Sequence, residues 1–300
     1  MKIEAFFDER TSTLTYVVYD PGSKDAIVID PVLDYEPAAS KKWTESIDRV
    51  LDFITAESLK VHFVVETHAD ADHLSGSQLI KERIPSARSV IGRGSTTVQR
   101  VFKDVFDVPD DFPTDGRQFD LLMDDGQVLK AGTLSFEAIL TSGHTPADVT
   151  FKVEDAIFTG DLLFMPDYGT GRCDFPAGSA GDLYDSIHNR LYTLPDETRV
   201  FVGHDYQPDG REVRYETTIG ESKKSNVHIR AETSREEFTR FRNERDKTRS
   251  SPGLLFQSVQ VNVDAGRLPQ PSDNQMRYLK ILINAFRPQE VGEMSLEPAP

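Results

Sequence analysis

The stretch "FVVETHADADHLSG", Phe63 to Gly76, puts two histidines and two aspartates inside six residues, directly after a run with the pattern of a buried strand. Imidazole and carboxylate are ordinary nitrogen and oxygen donors for divalent metals. The stretch therefore asks whether His68, Asp70, Asp72 and His73 serve one metal ion or two.

Three later strand-like runs also end in a donor. "TSGHTPADV" offers His144 in a glycine-containing loop, "FTGDLLF" offers Asp161 after Gly160, and "FVGHDY" offers His204. The chain has seven histidines, and only His62, His188 and His228 fall outside these strand ends. A lone histidine reads more readily as a satisfied structural residue. Four together with Asp161 read as a metal centre gathered at one edge of packed sheets.

The rest of the chain supplies those sheets. "TLTYVVYD" alternates, while "AIVID" and "VHFVVE" are apolar runs of strand length. "RSVIG", "TLSFEAILT", "VTFKV", "AIFTG" and "RVFVG" add further strands. Trp43, Ile47, Val50, Leu51 and Ile54 recur at helical spacing. Further helices are expected at "HLSGSQLIKERI", starting at the metal-like cluster, and at "AGDLYDSIHNRLYTL". Strands from both halves with interspersed helices predict two sheets, each covered on its outer side. Beyond about residue 225 the texture turns polar. Ser234 and Glu237 form a capping-box pair ahead of a helix, followed by proline-rich segments, the apolar run "YLKILINAF" and the closing "SLEPAP", which is expected to fray. The division expected is residues 1–225 as the metal domain and 226–300 as an extension packed on it.

Composition narrows the function. Thirty-four basic against fifty acidic residues give a formal charge of −16, which disfavours phosphate backbones and anionic membrane surfaces. No run approaches the roughly 18 apolar residues of a membrane span. The N-terminus reads as a strand rather than a leader, so a cytoplasmic location is expected. Cys173 is the single cysteine, which leaves no internal disulfide and no cysteine-based zinc site.

"THADADH", "GHTP", "GD" and "GHD", in this order, resemble the metallo-β-lactamase superfamily, whose signature is His-x-His-x-Asp-His followed by a histidine, an aspartate and a histidine. The resemblance covers about the first 210 residues and implies an αββα sandwich (α/β, or α+β) with the metal site at one edge. It also implies one site from the first two motif histidines and His144, a second from Asp72, His73 and His204, and Asp161 between them. Asp70 stands where the second histidine is expected. That removes an imidazole from the first site and weakens a dinuclear reading. A site of His68, His144 and Asp161 needs nothing from position 70, and two histidines with one carboxylate suit non-haem Fe(II).

"GDLLFMPDYGTGRCDF", with Gly171-Arg172-x-Asp174-Phe175 after the metal aspartate, resembles the persulfide dioxygenases, as do "GHDY", "ESKKSNVHI" and the tail from "SREEF". The similarity is to bacterial forms without a fused rhodanese domain. It implies oxidation of glutathione persulfide by O₂ to sulfite and glutathione at one Fe(II) per chain, held by His68, His144 and Asp161. Asp70, Asp72, His73, His204 and Asp205 would then orient ligands or, alternatively, build a second metal site. Arg172 is a candidate carboxylate anchor, against a plain salt bridge with Asp174, and Asp205 and Tyr206 are further candidate catalytic residues. Cys173 reads as a loop residue without chemistry, and Lys223 and Lys224 as solvated. A homodimer is implied by the resemblance alone. The rival readings are a thioester hydrolase of the glyoxalase II type with two Zn or Mn ions, and a non-catalytic metal or redox sensor. A β-lactamase ranks lower, and the acidic balance disfavours a nuclease.

Overall fold

The computed structural model describes residues 1–283. Two six-stranded sheets lie face to face. The first runs, in spatial order, Lys2–Asp8, Thr13–Tyr19, Asp25–Ile29, Lys60–Val65, Arg88–Gly92 and Leu121–Met123. Its first two pairings are antiparallel and the remaining three parallel. The second runs Val128–Ala131, Leu134–Leu140, Val149–Val153, Ala156–Phe158, Arg199–Phe201 and Glu216–Thr218. Only its Ala156–Phe158/Arg199–Phe201 pairing is parallel. The expected αββα layering is present.

Alternation along the strands builds the layers. Tyr16 and Val18 point between the sheets and join Phe63, Phe136 and Phe151 in the central core. Phe63 and Phe136 meet edge to face across it, their rings 5.4 Å apart. Val17, Tyr19 and Val28 point the other way, onto Ile47, Val50 and Ile54 of the Glu45–Ala56 helix and Ile80 of the Ser77–Arg83 helix.

Three expectations shift. Trp43 lies before the first helix, with the Arg10 guanidinium 4.6 Å over its ring. The helix expected at the metal cluster begins only at Ser77, because Leu74–Ser75 pairs as a short strand with Val32–Leu33. The Ala180–Ser186 helix continues into a wider π-helical turn at Ile187–Leu191. Three helices had no sequence reading, Ile219–Ser225, Ser95–Val105 and Leu255–Asn262. The last two pack on one another through Val98, Phe102, Leu255 and Val259.

The Arg235–Asp246 helix starts as its sequence requires: the Ser234 hydroxyl accepts the Glu237 N–H at 3.2 Å. Its Arg242, 1% exposed, pairs with Asp246 and donates to the carbonyls of Thr170 and Gly171. The run at "YLKILINAF" extends past the described residues, and "SLEPAP" lies outside them. No helix among the described residues is long and apolar enough to cross a membrane.

Candidate metal centre

Each predicted donor follows a strand: His68 after Lys60–Val65, His144 after Leu134–Leu140, Asp161 after Ala156–Phe158, and His204 after Arg199–Phe201. Main-chain bonds lock these strand ends together across both sheets. Leu14 N–H donates to Gly203 O, Gly203 N–H to Gly160 O, and Val149 N–H to Thr67 O. The packing is close enough to exclude side chains. A Cβ at Gly171 would lie 1.9 Å from the Asp161 carbonyl oxygen, and one at Gly203 would lie 2.8 Å from the carbonyl carbon of Gly160.

The structure brings all seven predicted donors together. Donor atoms of His68, His144 and Asp161 lie within 4.8 Å of one another, and all three residues are buried. Asp70, His73 and His204 form a second such group, and Asp72, Asp161 and His204 a third. Asp70 Oδ2 is 3.2 Å from both His73 Nδ1 and His204 Nε2, and 3.7 Å from His68 Nε2. It therefore sits with His73 and His204 rather than replacing an imidazole beside His144.

Hydrogen bonds fix which imidazole nitrogen is free. His144 Nδ1 donates to the Arg172 carbonyl at 2.7 Å, which leaves Nε2 facing Asp161. Thr67 Oγ1 gives its proton to Asp30 and so accepts from His68 Nδ1 at 3.0 Å. His204 Nδ1 donates to the Thr11 carbonyl at 3.2 Å. Such outer contacts are how proteins orient metal-binding imidazoles.

The donor set fits a cation. His68 Nε2 is buried without a hydrogen bond, and Asp161 Oδ1 has only the charge contact of His204 at 3.2 Å. Burial pushes His68 down to about 3, so the imidazole is neutral and its lone pair available. Burial pushes Asp161 up to about 7, against the opposing pull of His204. Asp70 is held well below the carboxylate range despite its burial, because His73, His68 and His204 surround it. A divalent ion would replace protons at such a cluster.

The other candidates fall into two sets. Tyr206 stacks on His204 with rings 5.5 Å apart and directs its hydroxyl to Asp72 at 3.3 Å. Asp205 instead faces away, accepting both terminal nitrogens of Arg211 at 2.7 Å. Arg172 gives its fork to Asp174 at 2.5 Å and a further N–H to Ser250 O at 2.8 Å, the salt-bridge alternative weighed from sequence. Cys173 is buried, and Lys223 pairs with Asp196 at 2.6 Å. Beside the cluster opens a pocket of about 240 Å³, bounded by Asp72 and Asp161, by Phe164, Tyr168 and Tyr206, and by arginines of the C-terminal region.

Several supporting residues had no sequence reading. Asn262 donates to the carbonyls of Asp70 and His73 at 2.8 Å and accepts from Ser75 N–H, holding the donor loop open ahead of its helix. Its one signal was a polar residue inside the apolar run "VQVNV". Asp246 accepts the Cys173 N–H at 2.8 Å, and Glu66 is buried on the hydroxyls of Ser75 and Ser77.

Residues 9–204 match the metallo-beta-lactamase superfamily, and the chain belongs to it. It is 45% identical to a "Probable metallo-hydrolase" of Burkholderia pseudomallei, over 95% of this chain and 100% of that protein. It is 41% identical to "Glyoxylase B2" of Dictyostelium discoideum, over 95% and 98%. The human mitochondrial persulfide dioxygenase ETHE1 is 34% identical over 68% of each chain. Among solved structures, ETHE1 from Myxococcus xanthus superposes with a TM-score of 0.71 at 31% identity, covering 89% of this chain and 100% of that one.

Proposed function

We propose that this chain is an Fe(II)-dependent persulfide dioxygenase, oxidising glutathione persulfide with O₂ to sulfite and glutathione. One persulfide, one O₂ and one water balance one thiol and one sulfurous acid. The observation that carries the reading is the three-donor group of His68, His144 and Asp161, complete without position 70. The likeness to the human and Myxococcus ETHE1 proteins supports it.

When bound, iron would supply the redox chemistry and the positions at which O₂ and the terminal sulfur meet. The chain's residues do the rest. His68, His144 and Asp161 hold the ion, while Thr67 and the Arg172 carbonyl keep the two imidazoles in register. Asp70 occupies His73 and His204 with charge contacts at 3.2 Å. Phe164, Tyr168 and Tyr206 wall the pocket and keep water from the sulfur. On this reading the segment expected as the metal domain, residues 1–225, carries the donors, and Arg242, Arg245, Arg249 and Pro252 of the extension complete the pocket.

One observation favours a second reading. Asp70, His73 and His204 could hold another ion, as a dinuclear thioester hydrolase requires, and the Dictyostelium relative bears a glyoxylase name. Metal content per chain, measured on protein expressed with iron and handled without oxygen, separates the two when paired with O₂ uptake on glutathione persulfide. Near one iron and persulfide-dependent uptake support the dioxygenase. Two zinc or manganese ions, thioester cleavage and no uptake would replace it with the hydrolase.

A further inference from the structure

A second, narrower opening reaches the metal cluster. It is a cleft of about 40 Å³ that meets the cluster at His144 and Asp72, against about 240 Å³ for the pocket bounded by Phe164, Tyr168 and Tyr206. Asp72, Arg172 and Pro252 border both spaces. Arg172, its fork on Asp174 and a further N–H on the Ser250 carbonyl, therefore stands with Pro252 as the partition between them.

The cleft offers little to a polar or charged ligand. Its apolar walls are Ala71, Phe175, Pro176, Pro252 and Leu255. Phe175 and Leu255 belong to the buried cluster around Phe102. The polar groups on its border are already engaged: His144 Nδ1 by the Arg172 carbonyl, the Arg172 guanidinium by Asp174, and the Asp72 carboxylate by the Tyr206 hydroxyl at 3.3 Å. An anion entering here would meet the carboxylates of Asp72 and Asp174, with the Arg172 charge already neutralised. Like charges repel strongly where water is scarce, and a polar ligand that finds no partner pays for its lost hydration. Apolar cavities instead take up small apolar molecules. Size points the same way. A water-sized molecule needs roughly 10–15 Å³ of such space, so the cleft admits a diatomic gas and excludes a peptide thiol.

We infer that the cleft is the entry route and holding site for dioxygen, which arrives at His144 while the wider pocket takes the anionic substrate. The inference rests on the dioxygenase reading for the identity of the gas, and it deepens that reading by giving each co-substrate its own approach. A thiol seated against Phe164 and Tyr206 then leaves the gas route open.

The test combines xenon-pressurised crystals of the metal-loaded protein with initial rates of O₂ uptake at varied O₂. Ser251 is exposed and borders the cleft but not the wider pocket, so Ser251→Trp should plug the mouth without disturbing the core. The wild type should bind xenon beside Phe175 and Leu255, and Ser251→Trp should lose it. In the same variant kcat/KM for O₂ should fall at least tenfold, while kcat/KM for glutathione persulfide at saturating O₂ stays within twofold. Leu255→Phe, which narrows the cleft from inside, should give a smaller loss of the same kind. An empty wild-type cleft under xenon overturns the inference, and so does an equal fall in both kinetic constants. Xenon bound in the wild type and lost in Ser251→Trp, with no persulfide-dependent uptake by either, would sustain a small-gas site and remove the dioxygenase. Uptake whose O₂ dependence ignores Ser251→Trp would keep the dioxygenase and remove the route.

Discussion

His144 Nδ1 donates to the Arg172 carbonyl across 2.7 Å, and that carbonyl belongs to a loop held from the far side by a buried ion pair. Arg242 donates to the carbonyls of Thr170 and Gly171, and Asp246 accepts the Cys173 N–H. The Arg235–Asp246 helix thus reaches a metal-facing imidazole through three contacts. Asp246→Asn should weaken metal affinity by about 10–100-fold, the usual cost of losing an outer contact, measured by chelator competition. Arg242→Ala strands a buried carboxylate and should cost about 3–5 kcal/mol in denaturant unfolding.

Position 70 separates the two metal readings. Its carboxylate lies 3.2 Å from His73 and His204 and only 3.7 Å from His68. Asp70→Ala should retain near-full iron on metal analysis, whereas His68→Ala should retain little. Equal loss in both variants would make Asp70 a ligand.

Cys173 should be chemically silent in the folded protein. Burial pushes its thiol far above the ordinary range, where free cysteine ionises near ~8.5. A raised pKa delays the thiolate to higher pH, so alkylation of native protein should stay slow from pH 7 to pH 9. Unfolded protein should react faster across the same range. Rapid native labelling at pH 8 would contradict the burial.

Ser234→Ala removes the cap of the helix that carries Arg242 and Asp246. The expected cost is about 1 kcal/mol in urea unfolding, with Ser234→Asp close to wild type.

What was legible in the sequence was local. Strand alternation and donors at strand ends gave nine of the twelve strands and all seven cluster residues, because a strand's periodicity is written in consecutive positions; the short edge-side strands Leu121–Met123, Val128–Ala131 and Glu216–Thr218 had no reading. The Ser77 helix start was not legible: the donor loop is held extended by Asn262, 189 residues from His73. The Ser95–Val105 helix hid behind β-branched residues, although Val98 and Phe102 are spaced for one buried face. The Arg242–Asp246 clamp depends on which distant loop the helix meets, and no spacing records that. Arg172 had two readings in sequence, and only the position of Asp174 in space favours one.

The close approaches at Gly171 and Gly203 make donor chemistry separable from the frame that aims it. Main-chain thickness alone sets the distance between the loops bearing Asp161 and His204, since no Cβ fits at Gly203, and it likewise sets how closely the loop at Gly171 approaches Asp161. A designer could therefore exchange side chains at position 70 and retune the centre for a harder or softer cation while leaving the architecture untouched. Adding one methyl group at 171 would do the opposite, keeping every donor present while pushing the main chain of Asp161 out of place.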